Sequence, residues 1–260
     1  MKFFISVIFV SLLIYGLHVD AMSVFQLSIL FLFIFLNWLQ SKINYQWGKY
    51  ILTFAIFTLG LLFFFHMLGF HNIKCNSIQF SSNTVSEISY FNFDKILPSL
   101  ILLYFYKDKF IVSFGLFKST FQISLIFISF IISISLALHF VAFDFKVNES
   151  ILLWAIRNFF AVALCEEMLF RGYLQKSLIS MFSSFLSLRT SSLSGLILAS
   201  ILFSCLHYRS GYEMMALASF AGIFYGIVYI KTGHIFYSTL AHFTLNLTHF
   251  IFFSYPACCR

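Results

Sequence analysis

The chain has 260 residues, of which 61% are hydrophobic and only 10% are charged, with a mean hydropathy of +0.94. A soluble globular domain carries about 25% charged residues, so this composition cannot cover a water-facing surface. The formal net charge of +7 comes from cations that stand singly or in pairs between apolar stretches. That pattern is typical of loops between membrane spans and argues against nucleic acid as a partner.

Apolar stretches long enough to cross a bilayer recur along the whole chain. A spanning helix needs about 20 mostly apolar residues. Near residues 90–106, Asp94, Lys95 and Pro98 interrupt a further stretch, which is either a short span or an interfacial segment. We therefore predict an all-α fold, a polytopic transmembrane helix bundle with about 8–9 spans surrounded by membrane lipid. The uninterrupted stretches are 3–17, 21–39, 50–70, 120–143, 150–170, 191–208, 213–230 and 234–254.

The distribution of lysine and arginine predicts the orientation of the bundle. With nine spans and an internal N-terminus, ten of these cations fall on the cytoplasmic side or at its boundary and five fall outside. We therefore expect a cytoplasmic N-terminus. The Phe-, Ile- and Lys-rich composition indicates an A/T-rich genome, and the plain organisation indicates a bacterial protein, so we expect the chain in the inner (plasma) membrane. Segment 71–95 is the longest polar stretch. Its composition is consistent with a lid and equally with a luminal loop.

Two adjacent carboxylates near the end of one apolar stretch form the first group of polar residues inside the predicted bundle. Ionisable side chains are costly in a bilayer and are by default candidates for function. Glu167 and Arg171 are four residues apart, so they share a helix face and can pair. Glu166 points about 100° away and keeps no such partner, which suits a general base. The alternative is a charged pair at a cytoplasmic helix end.

Two later apolar stretches contribute imidazole and amide groups. His207 stands near the end of one of them, where a structural role is the alternative. His242 and Asn246 stand in the middle of the last stretch, four residues apart and therefore on one face, with His249 on the same stripe. Buried polar groups of this kind need partners. A carboxylate, two imidazoles and an amide converging in an apolar bundle are the parts of an amide hydrolase.

These three groups resemble the motifs of the CAAX-protease and bacteriocin-processing family of intramembrane endopeptidases, the CPBP or Abi family. The resemblance covers roughly residues 150–250. It divides the chain into an N-terminal transmembrane region, 1–145, and a protease core, 146–254. The family's motifs E-E-x-x-x-R, F-x-x-x-H and H-x-x-x-N/D stand here as Glu166-Glu167 to Arg171, Phe203 to His207, and His242 to Asn246.

The resemblance implies an endopeptidase that hydrolyses peptide bonds of a membrane-associated protein or peptide. Glu166 and His207 would activate the attacking water, and His242 with Asn246 would stabilise the oxyanion. Because bacteria generally lack CAAX prenylation, we expect a peptide, a bacteriocin leader or a C-terminal sorting tail as the substrate.

By the same resemblance, the other two charged residues of the first motif, Glu167 and Arg171, would support the site.

Two alternatives stay open at this point. The first is a zinc site, in which Glu166, His207 and His242 would bind the metal. We favour a metal-free glutamic mechanism without a cofactor, because an Asn such as Asn246 is a poor zinc ligand but a good oxyanion donor. The second is a non-enzymatic membrane transporter or bacteriocin-immunity factor that keeps the fold, since intramembrane Glu and His also serve as proton relays.

Overall fold

The computed structural model describes residues 2–78, 87–106, 114–147 and 151–254, and within these ranges the chain is almost entirely helical. The predicted all-α membrane bundle is thereby confirmed as the fold class. In chain order the helices are α1 (Lys2–His18), α2 (Val24–Lys42), α3 (Gln46–Phe64), α4 (Phe93–Phe105), α5 (Phe114–Ala137), α6 (151–182), α7 (Leu188–Ser210), α8 (Tyr212–Thr232) and α9 (Ile235–Phe252).

Helix α6 is a continuous rod in which α-helical and π-helical turns alternate. A π turn contains one residue more than an α turn, and such turns occur frequently at functional sites. They change which side chains share a face, so positions in α6 do not follow a regular 3.6-residue period. The successive segments are Ile151–Arg157 (α), Asn158–Ala163 (π), Leu164–Glu167 (α), Met168–Gln175 (π) and Lys176–Phe182 (α).

Five of the described helices are long and apolar enough to cross a membrane, which makes the chain an integral membrane protein. The predicted total of about 8–9 spans stays a prediction. The interrupted segment near 90–106 forms α4, whose 13 residues contain Pro98. At 1.5 Å per residue α4 is about 20 Å long, which is shorter than a hydrocarbon core of about 30 Å. The five helices are α2, α3, Thr120–Ala137 of α5, α7 and α8.

The polar segment 71–95 contains the only sheet in the part of the chain that the structure describes. Strands β1 (Ile73–Ile78) and β2 (Glu87–Phe91) pair antiparallel, with an irregularity between Lys74 and Ser77. This hairpin is absent from the sequence-based prediction. The base of the hairpin is tied to the bundle, because His71 N donates to Ala21 O at 2.9 Å. Whether it acts as a lid or a luminal loop stays a prediction.

Apolar packing joins the N-terminal helices to the C-terminal ones. Phe57 of α3 meets Phe170 of α6 with ring centroids 5.8 Å apart, and both side chains belong to one buried apolar cluster that reaches α9. Gly60 of α3 lets Leu169 approach so closely that a Cβ at Gly60 would lie 2.8 Å from its Cδ1. The division at residue 145 stays a prediction, and the two sides share this core.

Helices α6 and α8 approach closely because two glycines lie four residues apart on α8. Arg171 Nη2 donates to the carbonyl oxygen of Gly222 at 3.1 Å, and Gln175 Nε2 donates to that of Gly226 at 3.2 Å. Arg171 and Gln175 are themselves four apart and fully buried. Small residues allow such close backbone approach between membrane helices. Two polar side chains of α6 are therefore anchored on the backbone of α8.

Replacing Gly226 with alanine should destabilise the bundle by about 1–3 kcal/mol, the usual effect of overpacking a tight interior. The added Cβ would lie 2.6 Å from Gln175 Oε1 and 2.3 Å from Leu196 Cδ1, so the hydrogen bond to Gln175 must shift. Thermal unfolding of the purified protein in detergent measures the change. Gly48→Ala is the control, since its nearest neighbour is the partly exposed Ile43. Equal unfolding temperatures for wild type and Gly226→Ala would contradict the packing described.

Candidate active site

Glu167 is the carboxylate that connects α6 to α9. It is fully buried, and its Oε2 lies 3.3 Å from Arg171 Nε in the ion pair that the i,i+4 spacing predicts. Its other oxygen, Oε1, accepts a hydrogen bond from His242 Nδ1 at 3.1 Å. One carboxylate thus holds a cation on its own helix and an imidazole on a neighbouring helix. The contact with His242 is a finding that the sequence did not predict.

Glu166 is also buried, and it faces the opposite nitrogen of the same imidazole. Its Oε2 lies 4.0 Å from His242 Nε2, which is beyond a direct hydrogen bond and close enough for one water to bridge. The spacing along a regular helix predicts that the two glutamates point in different directions. The structure instead brings both to His242, one at each ring nitrogen. Glu166 remains the carboxylate of the two that has no arginine beside it in the described ion pairs.

Aromatic side chains from α7 and α8 enclose the charged groups. The Tyr225 ring stacks on the His242 ring with centroids 4.6 Å apart and planes only 10° apart. Phe203 presents its edge to His242 at 5.8 Å, and the Arg171 guanidinium lies 4.7 Å from the centre of the Phe203 ring. These contacts leave the His242 ring little freedom to rotate. Tyr225 gave no signal in the sequence, because it is one aromatic residue among many in an apolar stretch.

His207 lies on a short 3₁₀ segment, Cys205–Ser210, that ends α7. Its ring is partly buried and lies 5.5 Å from the Phe203 ring, edge to face. Phe203 therefore contacts both imidazoles, His207 and His242. The first and last positions of the F-x-x-x-H motif form one contact pair at the side of the cluster.

Asn246 lies one turn after His242 on α9, as the spacing predicts. Its Nδ2 donates to Asn158 Oδ1 at 3.2 Å. Asn158 is buried and begins the first π-helical segment of α6. The sequence-based prediction assigned no role to Asn158, which stands eight residues before Glu166.

One cavity of about 100 Å³ is lined by three of the four residues predicted to be catalytic, and Glu166 is not among its lining residues. His207, His242 and Asn246 contribute to its wall, and His249 lies there as well. A further part of the wall, apolar except for Ser135, comes from the end of α5 and the connection that follows it, which lie outside the predicted protease core. The residues of that wall are Ile131, Ile132, Ser135, Phe140 and Val141.

The carboxylate and imidazole groups also bear on the predicted alternative of a metal site. Among the described residues, no three His, Cys, Asp or Glu side chains are grouped so that they could hold a metal ion. The predicted set of Glu166, His207 and His242 is therefore not gathered around one ion position. His242 on its own has an arrangement that metal-binding imidazoles share, because Nδ1 is held by Glu167 while Nε2 faces Glu166 at 4.0 Å.

The part of the chain that carries this cluster is similar to a known family of membrane proteases. Residues 148–248 match the family model described as type II CAAX prenyl endopeptidase Rce1-like. The match confirms the resemblance inferred from the three motifs and supports a CAAX-protease-type enzyme in a lipid environment. No curated protein and no solved structure matches the chain.

Replacing Arg171 with methionine should destabilise the protein by about 3–5 kcal/mol, because it leaves the Glu167 carboxylate buried without its cation. The same change at Arg209, which is exposed and stacks on Tyr208, is the matched control and should have little effect. Thermal unfolding in detergent compares the two variants. Similar shifts for both would mean that the buried pair does not stabilise the fold.

Proposed function

We propose that the protein is an intramembrane endopeptidase in which Glu166 and His207 activate a water molecule, while His242 and Asn246 stabilise the oxyanion. The observation that carries this proposal is the placement of Glu166 opposite His242 Nε2, next to a cavity that His207, His242 and Asn246 share. His242 links the two, because its ring lines the cavity and its Nε2 faces Glu166. A reacting carbonyl beside His242 would therefore have hydrogen-bond donors next to it and an acid–base group on the same side of the ring.

The donor role that we propose for His242 requires a proton on each of its two ring nitrogens. In that state Nδ1–H donates to Glu167, and Nε2–H is available to a developing oxyanion. Glu167 thus supports the donor role that we propose for His242.

Hydrolysis then requires one residue that first accepts a proton from the water and later donates it to the leaving amine. Glu166, with His207 orienting the water, removes a proton as the water oxygen attacks the carbonyl carbon. The carbonyl oxygen becomes an oxyanion that accepts hydrogen bonds from His242 and Asn246. When the C–N bond breaks, Glu166 returns the proton to the leaving amine and the carboxylate is regenerated. The balance requires only a peptide and water.

The apolar wall of the cavity fits a substrate that is itself embedded in the membrane. A peptide segment with aliphatic or aromatic side chains would lie against Ile131, Ile132 and Val141 while its backbone faces His242. This supports a membrane-associated protein or peptide as the substrate class. A bacteriocin leader or a C-terminal sorting tail belongs to that class.

Glu166→Gln should lower peptide release by about 10²–10⁴-fold while the protein still folds, because it removes the acid–base group and keeps the shape. The measurement compares new peptide termini, by mass spectrometry, in membranes that contain wild type or the variant. Glu213→Gln, at an exposed glutamate at the start of α8, is the matched control. Identical sets of termini for wild type and Glu166→Gln would contradict proteolysis and favour a transporter or immunity factor.

Metal dependence is tested separately on the purified wild-type protein. A peptide whose release depends on Glu166, made as a fluorescence-quenched reporter, should be cleaved at an unchanged rate after dialysis against a tight chelator. Zinc added back should give no increase. Loss of cleavage on chelation with recovery on zinc would overturn the metal-free mechanism and leave the proteolytic function standing.

A further inference from the structure

Asn158 is a buried amide beside Asn246, and it lies outside the three family motifs. It is 9% exposed, and its Oδ1 accepts a hydrogen bond from Asn246 Nδ2 at 3.2 Å. A buried polar side chain in an apolar bundle is costly unless it has a partner, so its presence needs a reason. The partner that it meets is the proposed oxyanion donor.

Local helix geometry explains how Asn158 reaches this partner. Around a regular α-helix, residues eight apart such as Asn158 and Glu166 would lie about 80° apart. Both nevertheless contact α9, where Asn158 meets Asn246 and Glu166 faces His242. The π-helical segment Asn158–Ala163 lies between them, and its extra residue per turn changes the angle between the two side chains. The π-helical segment therefore allows both Asn158 and Glu166 to face α9.

The hydrogen bond determines what Asn246 presents to the cavity. A side-chain amide has two N–H donors and one carbonyl acceptor. When one N–H donates to Asn158 Oδ1, the amide plane is held and the second N–H remains available in the cavity that Asn246 lines. Without that acceptor the amide can rotate, and its carbonyl oxygen would then face the oxyanion and repel it.

We propose that Asn158 is a positioning residue that acts through Asn246, orienting its side-chain amide as a donor to the oxyanion. This inference rests on the proposed function for its effect on rate. The contact itself is independent of that function and has a readout of its own.

Asn158→Leu is the informative variant, because leucine has nearly the same shape and lacks the amide group that accepts from Asn246. We expect kcat to fall about 10- to 100-fold with KM little changed, less than the loss of about 10²–10³-fold that removal of an oxyanion donor gives. The probe is a quenched peptide whose sequence is taken from a terminus that depends on Glu166. Asn37→Leu, at a fully buried Asn of α2, makes the same chemical change away from the cavity and should keep kcat.

A double-mutant cycle separates a positioning role from a merely structural one. If Asn158 acts through Asn246, the double variant Asn158→Leu/Asn246→Ala should be no slower than Asn246→Ala alone. Multiplicative losses would overturn the proposal. So would a rise in KM with unchanged kcat.

An NMR measurement tests the contact between Asn158 and Asn246 without relying on enzymatic activity. With ¹⁵N-labelled asparagine, the side-chain amide resonances of Asn246 should move in Asn158→Leu and stay in Asn37→Leu. Unmoved resonances would overturn the contact. If no terminus depends on Glu166, the proposed function fails and the catalytic role of Asn158 fails with it, while this spectrum still decides the contact. If Asn158→Leu does not fold, Asn158→Ala replaces it in both experiments.

Discussion

The organisation of the candidate site depends on the fully buried carboxylate of Glu167. On one side it binds Arg171, and on the other it accepts a hydrogen bond from His242. A charge at this depth is tolerated only when it is paired and hydrogen-bonded, so each of the three groups requires the other two. Since Arg171 also donates to Gly222, the position of the imidazole is tied to the backbone of α8. Helices α6, α8 and α9 are thereby held in one arrangement.

Electrostatics and packing act together on His242. Its ring is stacked on Tyr225, bonded to Glu167 at one nitrogen and faced by Glu166 at the other. A ring held in this way loses little freedom when a substrate arrives, which is how a preorganised site lowers a barrier. The apolar surroundings strengthen each of these interactions, because the effective dielectric constant of such an interior is low.

Periodicity and composition predicted the helical membrane bundle, the Glu167–Arg171 pair and the shared face of His242 and Asn246. Those features depend on one helix at a time. The Glu167–His242 and Asn158–Asn246 contacts join different helices, and the π turns of α6 shift which residues face inward. The predicted span 150–170 ended just before Arg171, whereas α6 continues to Phe182 because Arg171 and Gln175 find carbonyl partners on α8. A backbone carbonyl on another helix cannot be recognised as a partner from the sequence of one apolar stretch.

The central claim is that Glu167 holds the orientation of His242 through a hydrogen bond from Nδ1, and nitrogen NMR of histidine tests it directly. In protein with ¹⁵N-labelled histidine in lipid bilayers, Nδ1 of His242 should carry a proton that is hydrogen-bonded to a carboxylate. In Glu167→Gln that signal should shift strongly, while the signal of the N-terminal His18 should not change. A spectrum in which Nδ1 of His242 is unprotonated, or in which Glu167→Gln leaves His242 unaltered, would contradict the account.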